Sequence, residues 1–171
     1  MQPAIPNVRD VLPLPKLQLL RDRYRREEAI AAVSSILPFV YDKSRDYNAA
    51  VTHAFYGDLP SDTRSTREAL SVQDRERCLI ALLCSRGVPE TLAVHIYLGL
   101  MEGISAEEVA NILMLTGMYT GIDRFVTGLA TELTALKALG ELVDENGRLD
   151  AAFVLNRLKD RFDPTARPSG R

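Results

Sequence analysis

Apolar side chains recur every three or four positions through most of the chain, and they nowhere alternate with polar ones over a useful length. The pattern therefore predicts helices and no sheet. From about Lys16 the positions Leu19, Leu20, Tyr24, Ile30 and Val33 fall near helical spacing. Arg21, Arg23, Arg25 and Arg26 are interleaved there with Asp22, Glu27 and Glu28, as on a solvated face with i,i+4 pairs. Pro38 should end or kink this helix. Upstream, Pro3, Pro6, Pro13 and Pro15 predict an extended arm. A second helix is expected over Asp42 to Tyr56, stopped by Gly57, and the polar stretch 58–70 with Pro60 reads as a connection.

The clearest helical hairpins follow. Ser71 with Asp74 has the form of a capping box, and Leu79, Ile80, Leu82 and Leu83 make an apolar helix ending near Gly87. Pro89 suits a first helical position, and the helix from Pro89 to Met101 is apolar nearly all round, which predicts a central, buried element. Gly103 closes it. Ser105 with Glu108 is a second capping box, opening a helix through Val109, Ile112, Leu113 and Thr116. The next helix repeats Ile122, Phe125, Val126, Leu129, Leu133 and Leu136, with Gly140 as its expected end. A further amphipathic helix is expected around Leu149 to Phe162. The predicted architecture is all-α, a helical-hairpin bundle of about six to seven helices without internal repeats. Its expected divisions are an N-terminal arm and helical extension (1–69), a core (70–140) and a C-terminal helix with a tail (141–171).

Composition changes this picture little. A hydrophobic fraction of 46% with 26% charged residues can bury a real core. Lys and Arg total 21 against 23 Asp and Glu, which gives no electrostatic reason to expect nucleic acid or an anionic membrane as partner. Charges interrupt every apolar run before it could span a bilayer, and Arg9 and Asp10 stand where a signal peptide would need apolar residues. A cytoplasmic location is the expectation. Cys78 and Cys84 are too far apart on one helix to bridge each other, and their spacing is not that of a metal site.

Two histidines limit the candidate chemistry further. His53 has no motif around it and reads as a surface or packing residue. His95 sits on the apolar helix one turn from Thr91 and one turn from Gly99, so the three share a face. A small residue at 99 suits a pocket beside the imidazole, and equally a close helix crossing. Buried histidines are common in helical cores, so burial alone favours a packed residue over a catalytic one.

The order of motifs around His95 adds to this. Arg75-Glu76-Arg77-Cys78-Leu79-Ile80 precedes the histidine helix. Gly103-Ile104-Ser105-Ala106-Glu107-Glu108-Val109 and then Tyr119-Thr120-Gly121 follow it. Together these segments resemble the carboxymuconolactone decarboxylase family, within the alkylhydroperoxidase D-like superfamily, over roughly residues 70–139. Glu76 precedes His95 by nineteen residues, as the acidic residue precedes the histidine in the family's peroxidase branch. That branch also carries a C-x-x-C pair, whose positions here hold Val88 and Thr91. The resemblance is therefore to the branch lacking it. The chain departs from the decarboxylases too: Thr91 stands where they place a Glu four before the histidine, with Glu90 rotated off that face. Asn111 and Asp123 replace a common Glu and Pro.

The resemblance implies a ring-forming homo-oligomer, a trimer or hexamer, without cofactor or metal, acting on a small molecule. The implied activity is that of a decarboxylase-like lyase or isomerase on a small carboxylated lactone or related carbonyl compound. His95 would be the general acid/base, supported by Glu76. Arg77, Arg86 or Arg124 would bind the substrate carboxylate, and Tyr119 would donate to a substrate oxygen. Two other readings are a thiol-dependent hydroperoxide reductase and a non-catalytic oligomeric binding module.

Overall fold

A computed structural model of the chain describes residues 7–36, 70–145 and 147–162, with side chains from 34 to 36 left aside. Eight helices and no strand occur among the described residues: α1 (Val8–Val11), α2 (Leu14–Arg23), α3 (Arg26–Ile36), α4 (Val72–Arg86), α5 (Pro89–Met101), α6 (Ala106–Thr120), α7 (Ile122–Asp144) and α8 (Ala151–Phe162). The all-α architecture expected from the pattern is the one found. The helix expected over Asp42–Tyr56, the breaks at Pro38 and Gly57, and His53 lie outside the described residues.

Two antiparallel hairpins form the centre. In the first, Ser71 caps α4 by accepting from the Asp74 amide at 3.1 Å. Gly87 ends α4 in the left-handed conformation (φ 66°), where its amide reaches the Leu83 and Cys84 carbonyls. Pro89 opens α5, losing no hydrogen bond because a first-turn amide has no helical partner. In the second hairpin, Ser105 caps α6 through the Glu108 amide, and Gly121 (φ 113°) turns the chain into α7. The two hairpins pack on each other, α4 against α6 and α5 against α7. Every residue of α5 from Leu92 to Met101 is buried, so this helix is the axis of the core. Its other neighbours are α2 and α8, while α3 lies on α8 and α1 rests across α6 and α7.

Three expectations need correction. The N-terminal arm is not extended throughout: Asn7 caps a single turn, and α2 starts at Leu14 with Pro15 in its first turn. Proline is harmless at that position, so its presence does not exclude a helix. The helix expected from Lys16 onward is broken at Tyr24, whose extended backbone (ψ 134°) separates α2 from α3. The break turns the Tyr24 ring inward, edge-on to Tyr97 at 6.1 Å between centroids. Third, Gly140 does not end α7, which runs on to Asp144. A Cβ there would meet the Val11 carbonyl oxygen at 3.5 Å, an ordinary contact, so Gly140 is simply a buried position within the helix where α1 packs.

The apolar stripe of α7 is also only partly internal. Leu136 and Leu139 are buried, whereas Ile122 and Val126 face outward. With Met114, Leu115, Met118 and Tyr119 of α6, they leave the tip of this hairpin apolar and exposed.

Candidate functional site

His95 and Glu76 meet inside the α4–α5 hairpin. The His95 Nδ1 lies 2.9 Å from Glu76 Oε2, and both side chains are almost completely buried. The contact follows from the crossing of the two helices. A Cβ at Gly99 would stand 3.2 Å from Ile104 Cδ1 and 3.3 Å from Ile80 Cδ1, so glycine here brings α4 and α5 close together one turn beyond the imidazole. Of the two uses a small residue at 99 could have, the crossing is the one realised. A carboxylate on Nδ1 fixes the orientation of the ring and sets which nitrogen carries the proton.

The other predicted site residues lie elsewhere. Arg77 turns toward α6, where its Nε donates to Glu108 at 2.7 Å and its guanidinium reaches Asp74 at 2.8 Å. Glu108 therefore completes only the backbone half of the capping box, its carboxylate being engaged by Arg77. Arg86 is exposed at the end of α4, ten residues past Glu76 and so about 15 Å along the helix from it. Arg124 is also exposed, and its guanidinium occupies the space where a side chain on Gly87 would be, at that same end of α4. Tyr119 is 85% exposed on the apolar tip. The structure thus joins His95 with Glu76, and separates Arg86, Arg124 and Tyr119 from them at the opposite end of the hairpin.

Cys84 is buried and donates weakly to the Arg124 carbonyl at 3.5 Å. Burial raises its thiol pKa, against a smaller lowering by Arg124. That is the reverse of what a peroxidatic thiolate requires. Cys78 is exposed. Among the described residues, no group of three or more His, Cys, Asp or Glu is placed to hold a metal ion, and no helix is long and apolar enough to cross a membrane.

Two groups escaped the sequence reading. Glu102 at the end of α5 accepts from the Tyr24 hydroxyl at 3.1 Å and pairs with Arg26 at 3.7 Å. No local pattern links positions so distant in the chain. Glu132 is wholly buried in α7, with neither carboxylate oxygen hydrogen-bonded. Burial pushes its pKa up to about 8, with a further contribution from Glu107. The signal for Glu132 was present: it stands one turn before Leu136, on the buried face that the leucines of this helix outline.

A bundle of helical hairpins enclosing a His–Glu pair, with no C-x-x-C, defines the class of protein. A model of the Carboxymuconolactone decarboxylase family matches residues 47–132, and the chain belongs to that family. Its function therefore falls among the decarboxylase and alkylhydroperoxidase-like activities of the superfamily. No curated protein and no solved structure matches the chain.

Proposed function

We propose that the protein is a cofactor-independent lyase or isomerase acting on a small carboxylated lactone or related carbonyl compound, with His95 as its general acid/base. The observation that carries this reading is the buried 2.9 Å contact between His95 Nδ1 and Glu76 Oε2. With the Nδ1 proton held by Glu76, Nε2 bears the lone pair that takes a proton next to a carbonyl and later returns it. In the lyase step the C–CO₂⁻ bond breaks, its electron pair passes into the adjacent carbonyl as an enolate, and the protonated imidazole gives that carbon a proton, while a cation would position the substrate carboxylate beforehand. Arg77, Arg86 and Arg124 are the candidates, with Tyr119 as a donor.

The exposed tip of the α6–α7 hairpin suits burial against further copies of the chain, as a trimer or hexamer. Arg124 and Tyr119 lie at or beside that tip, so assembly would be the means of bringing them to a neighbour's site. Sedimentation should show a trimer or hexamer, and a strict monomer would remove this route.

Turnover of a panel of carboxylated lactones, followed by release of carbon dioxide and by proton exchange, tests the chemistry. His95→Asn should lower the rate by about 10²–10⁴ with helicity unchanged. An unaltered rate in that variant would remove His95 as the acid/base, and binding without turnover in the parent protein would favour the binding-module reading. Peroxide reduction abolished by replacing both Cys78 and Cys84 with Ala would favour the thiol peroxidase instead.

A further inference from the structure

The C-terminal end of α5 is held from two sides by polar side chains. A helix leaves its last four carbonyls without helical partners. In α5 two of them are answered by the turn that follows: the Glu102 amide donates to Leu98 at 3.0 Å and the Ile104 amide to Gly99 at 2.9 Å. The Leu100 carbonyl receives only a longer bond from the Gly103 amide, at 3.3 Å, and accepts in addition from Arg21 Nε of α2 at 2.8 Å. The same guanidinium reaches the Ile104 carbonyl through Nη2 at 3.5 Å. The helix dipole also favours a cation at this end. From α4, Gln73 Nε2 donates to the Glu102 carbonyl at 2.7 Å. Gly103, at φ 100°, leaves room for that amide, since a Cβ would stand 3.1 Å from it.

The turn at 102–104 that Arg21 and Gln73 hold is in direct contact with the helix crossing. Ile104 is wholly buried, and its Cδ1 is the nearest atom to a Cβ built on Gly99, at 3.2 Å. Ile80 Cδ1 follows at 3.3 Å and Glu76 Cβ at 3.8 Å. Ile104, Ile80 and Glu76 thus share the space over Gly99, one turn from His95. A shift of Ile104 is passed on to α5 and to the residue whose carboxylate meets Nδ1, because interiors packed this closely transmit displacement. A relative movement of about 1 Å is enough to take a 2.9 Å contact out of hydrogen-bonding reach.

We propose that Arg21 and Gln73 are positioning residues for the His95–Glu76 pair, acting through the turn at 102–104 and the crossing at Gly99. The functional meaning of this proposal rests on the acid/base reading of His95. Arg21 precedes residue 47, where the family match begins, so the frame of the pair is completed by a segment outside the match.

The side-chain nitrogens of His95, followed by NMR in full-length protein labelled at histidine nitrogen, read the pair without any substrate. His95→Asn assigns the signals. Arg21→Met keeps much of the side chain's bulk and removes its donors. It should speed solvent exchange of the Nδ1 proton by about tenfold and raise the share of the tautomer protonated at Nε2. Arg21→Lys, which keeps the charge and a donor, should restore part of the parent behaviour. Asp150→Ala removes the cap at the Phe153 amide of α8 and controls for lost stability; it should leave the His95 signals unmoved. Unmoved signals in Arg21→Met, or an equal change in Asp150→Ala, would overturn the proposal. If Arg21→Met does not fold, Gln73→Met takes its place, with the same outcomes deciding. Because turnover plays no part, displaced His95 signals in a protein that turns over no substrate would sink the lyase reading and leave the positioning standing. Turnover by a protein whose His95 signals ignore both substitutions would do the reverse.

Discussion

Helix α5 and the tip of the α6–α7 hairpin are both made largely of apolar residues, and they meet opposite fates. Helix α5 is surrounded: ten consecutive residues are buried, and its one histidine is matched with a carboxylate from α4. At the tip, Met118, Ile122 and Val126 stand in the open. Apolar composition alone therefore does not locate the core of this protein. What separates the two regions is whether the chain supplies a second surface. The α4, α7 and α8 helices provide one for α5, while the side chains at the tip stay exposed. Burial at α5 holds the His95–Glu76 pair in place, and exposure at the tip leaves an apolar patch open.

The sharpest way to break this comparison is to make the same cut in both regions. Ile96→Ala, at a fully buried site, should cost about 2–5 kcal/mol in urea unfolding. Ile122→Ala, at a site 68% exposed, should cost about 0.5 kcal/mol or less at low protein concentration. If the tip packs against other copies, the Ile122 deficit will grow as concentration rises, because association stabilises by mass action. Equal costs at both sites would erase the distinction.

Glu132 offers the next largest effect, on the order of a few kcal/mol. Its folded pKa, raised to about 8 from 4.5, means that the folded state keeps a proton which the unfolded state gives up. Stability should therefore be unaffected by this group below about pH 4.5. It should fall as pH rises to about 8 and level off above that. Glu132→Met should remove the slope and raise the melting temperature most at pH 8. A parallel pair of pH–stability curves would show that Glu132 is not buried as described.

Two smaller changes probe the hairpin that carries the pair. Ser71→Ala removes the acceptor of the Asp74 amide and should cost about 1 kcal/mol by chemical denaturation, with His95 chemical shifts unmoved. Tyr97→Phe should alter stability by less than about 1 kcal/mol and in the stabilising direction, since its buried hydroxyl has no partner. A clear loss in that variant would reveal a partner for the hydroxyl.

Much of the helical order was legible in the sequence because its signals are local. The Ser71 and Ser105 caps, Pro89, Gly87 and Gly103 each act within one turn of chain, and each lies at a boundary or just past one. The N-terminal helices were misread for a complementary reason. Prolines suggest a break where a first turn tolerates them, and the break at Tyr24 answers to tertiary contacts with Tyr97 and Glu102. Gly140 resembles a cap in the sequence, yet the helix runs through it to Asp144 because glycine within a helix lowers its stability without ending it. In the candidate site, the link between His95 and Glu76 was suggested by resemblance and has its geometry from the crossing at Gly99. The Glu102 cluster joins residues from α2, α3 and the end of α5, and no spacing rule connects them.

The crossing at Gly99 bears on how this protein could be engineered. Two isoleucine methyls already stand within 3.3 Å of any added carbon, so the frame around His95 and Glu76 has almost no slack to trade for a new specificity. A library that varies Gly99 and the buried positions facing it, Glu76 and Ile80, would be expected to lose folded clones. Productive diversity belongs instead at the exposed surface of the α6–α7 tip, away from the histidine and its carboxylate.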